Sequence, residues 1–303
     1  MRQMRYEKIT RAGYTHGDGF AIDNETGELK KMVNIPVIEG SVIFDPQTWK
    51  TRQDFANQQR ERDQRRASSK PLGHFLLVSG RGFEDIPPAT LTRLILLTTY
   101  ADYEQRLMVG RKRPMRRADA QSVLKLNDTA FKQFLKQVIP RFLVERAGVL
   151  YLTDKSSFLR GKLPKGDHEQ RWKLYIQAIR HLYEVTPIRQ HKHLGHAFQL
   201  LRHINLEFNV LCHDIYETSL ENIRPMTLHE FCEVIGYDWS HVARLLSTYR
   251  QLTFKVGDHM ERFISIVYDG LDRKNALIYV NPRIVYSGSN YERVEILGSF
   301  CKV

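Results

Sequence analysis

Leu126-Asn127-Asp128-Thr129-Ala130-Phe131-Lys132-Gln133-Phe134-Leu135-Lys136-Gln137-Val138-Ile139 decides how this chain is read. Phe131, Phe134, Leu135 and Val138 recur at three- and four-residue spacing, so they share one face of a helix. Asn127 stands just ahead of them, with a side chain suited to capping a first turn. The outer face is then Thr129, Lys132, Gln133, Lys136 and Gln137. A second stretch, from Trp239 to Gln251, has the same outline after the break Gly236-Tyr237-Asp238. Its stripe is Val242, Leu245, Leu246 and Tyr249, and its outer face is Ser240, His241, Arg244, Ser247, Arg250 and Gln251. Neither outer face carries an acidic residue, apart from Asp128 and Asp238 at the helix starts.

At an offset of 111 residues the apolar positions coincide: Val123 with Val234, Leu124 with Ile235, Phe131 with Val242, Phe134 with Leu245, Leu135 with Leu246. Asn127 falls on Asp238, while the outward identities differ. A short helix precedes each stretch, over about 118–124 and over Thr227–Ile235. Thr227 and Glu230 have the spacing of a capping box. Alternating apolar runs follow. Phe142–Val144 and Val149–Leu152 flank Arg146-Ala147-Gly148, and Phe263–Tyr268 and Ala276–Val280 flank residues 269–275. Helix, polar break, helix and hairpin together spell a winged helix-turn-helix, written twice.

The rest of the chain is read around those units. Phe20–Ile22 and Leu29 flank the turn Asp23-Asn24-Glu25-Thr26-Gly27 as a hairpin, with further strands expected at Val33–Val37 and Val42–Phe44. Residues 50–70 are charged and amide-rich, a solvated linker, and Phe75–Val78 is a short strand. Pro87-Pro88 opens a helix running to about Glu104, with Leu91, Leu94, Ile95 and Thr98 inward. Asp167 is expected to cap a connecting helix with Trp172, Tyr175, Ile176, Ile179, Leu182 and Tyr183 on one side, ended by Pro187. Leu194, Ala197, Phe198, Leu201 and Ile204 form the helix that opens the second unit. The expected fold class is therefore α+β, mainly α, with two tandem winged helix-turn-helix domains and an N-terminal β-rich arm. The expected bounds are 1–84 for the arm and linker, 85–164 for the first domain, 165–188 for the connecting helix and 189–303 for the second domain.

Forty-six Lys and Arg against 34 Asp and Glu give a net charge of +12, which favours polyanions. No stretch approaches the roughly 18 apolar residues of a membrane span. The N-terminus shows no signal-peptide pattern, and three scattered cysteines give no disulfide framework, so a reducing cytoplasm is expected, that of a bacterium or of a phage's host. Five basic residues, Arg111, Lys112, Arg113, Arg116 and Arg117, stand before the first unit's short helix and suit phosphate contacts. Arg273 and Lys274 lie in the second hairpin's turn, placed for the backbone or the minor groove. The candidate DNA-contacting set is these seven with Asn127, Thr129, Lys132, Gln133, Lys136, Ser240, His241, Arg244, Ser247 and Arg250. Arg and Gln read base edges, and Lys, Ser and Thr hold phosphate.

Catalytic patterns are weak. There is no G-x-x-x-x-G-K-[ST] for a nucleotide, and Gly80-Arg81-Gly82 is too short for a dinucleotide turn. His191-Lys192-His193 lacks the apolar middle residue of rolling-circle nucleases. His241-Val242-Ala243-Arg244 matches the H-x-x-R of tyrosine recombinases, with Tyr268 or Tyr279 as nominal nucleophile, but needs no catalytic explanation on such a helix. Cys212-His213 with His229 and Cys232 lacks usual zinc spacing. No enzyme activity, cofactor or metal is expected.

Gly236-Tyr237-Asp238, the long second hairpin and Ile278-Tyr279-Val280-Asn281-Pro282-Arg283-Ile284-Val285-Tyr286-Ser287-Gly288 give the region from about Gln190 to Phe300 a resemblance to winged-helix replication proteins of Gram-positive plasmids and phages, the RepL type. The first half departs from that compact single-domain pattern. The resemblance implies origin or operator binding as a homodimer, without intrinsic catalysis. The expected function is sequence-specific binding of double-stranded DNA for a plasmid, phage or mobile element in replication initiation, with replication machinery as partner. A transcriptional regulator working with transcription machinery, and a strand-transfer or nicking enzyme, are the alternatives.

Overall fold

The computed structural model describes residues 14–17, 20–23, 29–31, 54, 55, 57, 60, 70–110, 112–153, 157–161, 163, 169–268 and 276–300. The chain divides into two compact units, 1–58 and 59–303. In the first, β1 (Tyr14–Gly17), β2 (Phe20–Asp23) and β3 (Leu29–Lys31) form an antiparallel meander. The Phe20–Leu29 hairpin is thus present, with Ile22 opposite Leu29. The strands expected at 33–37 and 42–44 lie outside the described residues.

The larger unit is mixed α/β, with small antiparallel sheets. Its order is β4 (Phe75–Val78), α1 (Pro88–Thr98), β5 (Met108–Val109), β6 (Arg113–Pro114), α2 (Arg117–Leu124), α3 (Asp128–Val138), β7 (Leu143–Arg146), β8 (Val149–Leu152) and β9 (Phe158–Leu159). Then come β10 (Trp172–Tyr175), α4 (Ile176–Val185), α5 (His191–Gln199), α6 (Leu228–Val234), a 3-10 turn Trp239–His241, α7 (Val242–Gln251), β11 (Thr253–Val256), β12 (His259–Arg262), β13 (Ile264–Tyr268), β14 (Ala276–Val280), β15 (Val285–Tyr286) and α8 (Tyr291–Gly298).

The repeat visible in sequence is written into the backbone hydrogen bonds. Leu107 N–H donates to Leu150 O and Met115 N–H to Leu107 O; in the second copy Leu211 donates to Ile278 O and Met226 to Leu211 O. The turn after α2 is closed by Leu126 N–H to Gln121 O, and that after α6 by Tyr237 N–H to Cys232 O. Lys125 and Gly236, 111 residues apart, both adopt the left-handed conformation there, with φ 53° and 60°. Such a residue ends a helix and re-aims the chain; glycine takes it without strain. Beyond the helices, Thr153 N–H donates to Phe142 O and Asn281 N–H to Phe263 O. Pairing of Leu143 with Leu152 matches that of Ile264 with Val280.

The two copies are not separate domains. One sheet, in the order β15-β10-β4-β9, runs through both, with β4 and β10 antiparallel at its centre. Ser79 N–H to Ser157 O on one side equals Tyr175 N–H to Ile284 O on the other. An antiparallel pair has its local two-fold axis perpendicular to the sheet, and here it passes between Leu77 and Lys173. Such an axis keeps each face of the sheet on its own side, so the core that the two copies share lies on one face. Leu76, Val78, Trp172 and Leu174 point into a core shared by residues of both halves, from Phe83 to Val285. On the opposite face Tyr175 and Tyr286 meet Phe208, Tyr279 and, from α8, Val294.

These facts correct the expected boundaries. β4 belongs to the central sheet, not to an arm ending at residue 84. The expected helix over 165–188 is half strand: Trp172 and Tyr175 sit in β10, and α4 starts only at Ile176. A β-strand buried on both faces has a continuous apolar run that helical spacing also satisfies. Asp167 and the boundary at Pro164 lie outside the described residues. The helix from Pro88 stops at Thr98 rather than near Glu104. Thr98 and Thr99 hydroxyls donate back to Ile95 O and Leu96 O, and Asp102 accepts from the backbone N–H of Glu104 and Arg106, holding a turn instead.

α1 is buried almost all round, from Thr90 to Thr98, which marks a central helix. It crosses α5 on the two-fold axis. Thr92 Oγ1 donates to His191 O at 2.7 Å. In the equivalent contact, Gly195 lies against the carbonyl of Pro88, where a Cβ would come within 1.8 Å of the oxygen. A backbone carbonyl cannot swing aside as a side chain can. Gly195→Ala is expected to cost about 3 kcal/mol, the upper end for overpacking a core. Thr92→Val, which removes only the hydrogen bond, is expected to cost about 1 kcal/mol. Urea midpoints of the two variants check the ranking.

Candidate nucleic-acid interface

Each copy presents its second helix, α3 or α7, with a basic and amide outer face. Asn127 caps α3 as expected, accepting from the N–H of Ala130 at 2.9 Å. Phe131, Phe134, Leu135 and Val138 are buried. Thr129, Lys132, Gln133 and Lys136 are exposed. Gln137, expected outward, is half-buried and accepts from Thr90 Oγ1 at 2.6 Å, which ties α3 to the central helix. In the second copy, Leu245, Leu246 and Tyr249 are buried, and His241, Arg244, Ser247 and Arg250 are exposed. Val242 is only partly buried.

Two of the candidates also position the helices. Asn127 spends its side-chain oxygen on the cap. Ser240 donates from both N–H and hydroxyl to Asp238 Oδ1, at 2.9 and 2.8 Å, and these bonds hold the Asp238 carboxyl below its ordinary range. The capping box on α6 is complete: Glu230 N–H donates to Thr227 Oγ1, and Thr227 N–H to Glu230 Oε2. Sequence spacing found the second box but not the first. There Asp119 accepts from the N–H of Arg116 at 2.9 Å. That bond first, then Arg113 alongside, lowers the Asp119 pKa.

The basic cluster is less free than its composition suggests. Arg113 bonds Asp119 at 2.8 Å. Arg117 grips Glu145 of β7 through Nε and Nη2, at 2.8 and 2.5 Å. Lys112 and Arg116 are exposed, with no carboxylate partner among the described residues. Arg111, Arg273 and Lys274 lie outside the described residues. Surface ion pairs are weak, about 0–1 kcal/mol, so Arg113 and Arg117 can exchange a carboxylate for a phosphate.

Sequence reading passed over Arg146 at the tip of the first hairpin. Ala147 and Gly148 there have φ of 49° and 76° and form a two-residue turn that leaves Arg146 exposed beside Tyr151. It also passed over the β11–β12 hairpin, present only in the second copy. Lys255 N–H on that hairpin donates to His181 of α4. Trp239 is 46% exposed beside α7, and Arg250 Nη2 donates to Tyr268 Oη at 3.1 Å.

Several residues of the weak catalytic and metal-like patterns are held in structural contacts. His191 Nε2 donates to Thr186 O, and burial lowers its pKa. Tyr279 is buried, with its pKa raised for the same reason. Cys212 Sγ donates to Asp214 O, and burial pushes its thiol up to about 11. His213 pairs with Glu230 and His229 with Glu233, so the two cysteine–histidine pairs turn to separate partners. Among the described residues no cluster of His, Cys, Asp or Glu is placed to hold a metal. No described helix is long and apolar enough to cross a membrane. No protein-family model matches this chain, and no curated protein or solved structure is detectably similar to it.

The scaffold behind α7 carries an acid-sensitive group. His196 on α5 donates from Nδ1 to Gln199 Oε1, since the Gln199 amide nitrogen is already donating to Phe83 O and Ile86 O. Its Nε2 is buried beside Tyr237. Desolvation brings its pKa down to about 4, and His191, His193 and His203 shift the same way for the same cause. The unfolded chain binds protons at an ordinary histidine pKa near 6.5, so it takes up protons before the folded chain does. Stability from these groups is complete above about pH 6.5 and falls as pH drops toward 4. Thermal melts across that window are expected to show a falling Tm, and His196→Gln a shallower fall. A flat Tm between pH 7 and 5 contradicts this.

Proposed function

We propose that each copy is a winged helix-turn-helix and that the chain binds double-stranded DNA in a sequence-specific manner, with α3 and α7 as reading helices. The β7–β8 and β13–β14 hairpins are the wings. The observation that carries this reading is the pair of acid-free outer faces, Thr129-Lys132-Gln133-Lys136 and His241-Arg244-Ser247-Arg250, set on equivalent helices of one duplicated scaffold. A helix so dressed fits the major groove, and Lys112, Arg116 and Arg146 on flanking elements suit phosphate. The net charge of +12 supplies the long-range attraction.

The two-fold relation between copies adds a property. One chain presents two reading heads in opposed directions, as two subunits of a symmetric dimer do. Their contact residues differ, so the half-sites are inverted in direction and unlike in sequence. The resemblance of residues 190–300 to RepL-type proteins points to replication origins of plasmids or phages as targets. The segment that carries this resemblance, from Ile278 to Gly288, is mostly buried seam around β14 and β15 and so bears on the fold more than on base contacts.

Selection of bound sequences from random duplexes, followed by footprinting, tests the reading. Protection over two successive major-groove segments is expected, about 20 base pairs. Lys132→Ala is expected to weaken binding and lower the slope of log K against log salt by about 1 if Lys132 holds a phosphate. Arg244→Ala is expected to relax sequence preference in one half-site alone, at about 1–3 kcal/mol for a bidentate contact to guanine. Protection of a single turn, or equal binding to all duplexes, overturns the proposal.

A further inference from the structure

The two copies differ at one place where the difference opens a cleft. Phe131 of α3 is buried and stacks on Phe134 with ring centroids 6.2 Å apart. Its equivalent on α7 is Val242, smaller and only partly buried. Around Val242 lies a cavity of about 660 Å3, walled by Leu228 and His229 of α6, Trp239, Ala243 and Leu246, with Tyr268 of β13. The volume falls within the range of small-molecule sites, about 300–1,000 Å3.

The chemistry of the walls selects an occupant. The floor is aliphatic. Trp239 and His229, with ring centroids 5.3 Å apart, offer aromatic faces, and Tyr268 lines the cavity with a third aromatic ring. Among the described residues that line the cavity, Arg250 is the one formal charge apart from titratable His229, and none is a carboxylate. Its guanidinium, bonded to Tyr268 Oη at 3.1 Å, is positioned at the edge of this apolar space. An arginine fork beside an aromatic-walled cavity is complementary to a flat apolar body carrying one anionic group.

We propose that this cleft is a binding site for a small planar aromatic anion, a carboxylate or sulfonate, held between Trp239 and Tyr268 with its charge on Arg250. In the first copy the equivalent position holds the larger Phe131, which is buried against Phe134. The site is read without DNA, so its test does not depend on the DNA-binding reading.

The probe is 1-anilinonaphthalene-8-sulfonate, titrated into the DNA-free full chain. One saturable site is expected, with fluorescence enhancement and quenching of tryptophan emission that Trp239→Phe reduces. Val242→Phe, which installs the first copy's residue, is expected to weaken the probe at least tenfold. Arg250→Gln is expected to weaken it about tenfold while leaving the uncharged N-phenyl-1-naphthylamine within twofold. Circular dichroism and Tm establish that each variant is folded, and Ala243→Leu fills the same space if Val242→Phe does not fold. Undiminished binding to a folded filling variant overturns the proposal, as does equal loss of charged and uncharged probes on Arg250→Gln.

Discussion

The crossing of α1 and α5 is the constraint on which the rest of the larger unit depends. Two helices approach closely enough for the backbone of one to touch the other only if a very small residue sits at the contact. Gly195 supplies that on α5, and at the equivalent place on α1 the Thr92 hydroxyl meets the His191 carbonyl instead. The contact lies on the axis that relates the copies. It therefore fixes both halves at once, and the continuous sheet β15-β10-β4-β9 repeats the same symmetry in strands. Neither half could keep its core if the other moved away, because Trp172 and Leu174 of the second face Leu76 and Val78 of the first within one packed cluster.

On that frame the copies have diverged where packing allows. Positions that close turns or pair strands carry matching hydrogen bonds, such as those of Met115 and Met226. Positions on the outer faces of α3 and α7 differ freely, because solvent imposes no shape on them. Additions fall in the second copy alone: α4 between β10 and α5, and the β11–β12 hairpin, which lean on each other through His181 and Lys255. The exchange of Phe131 for Val242 is a third kind of divergence, a core position relaxed into a cleft.

Much of this was legible in the order of residues. The stripe of Phe131, Phe134, Leu135 and Val138, the Asn127 cap and the Thr227–Glu230 box are local, and each is present where spacing placed it. The 111-residue offset was legible too, since helices and the turn between them keep register in both copies. Other features were not legible. β10 reads as the start of a helix because Trp172, Tyr175, Ile176 and Ile179 satisfy helical spacing, and only its pairing with β4 and β15 makes it a strand. The engagement of Arg113 and Arg117 with Asp119 and Glu145 was hidden as well, since Glu145 lies 28 residues away from Arg117.

The sequence by itself determined the two pairs of helices with a turn between them, the hairpins that follow, the basic and amide faces and the positive charge. Periodicity, capping and turn chemistry act over a few residues and are written locally. Tertiary structure alone decided that the copies share one sheet and one core, that a two-fold axis relates them, that some cluster arginines are occupied, and that a cleft opens beside α7. Those outcomes depend on which distant groups come within bonding or packing distance, on the Gly195 carbonyl contact and on the space left by Val242.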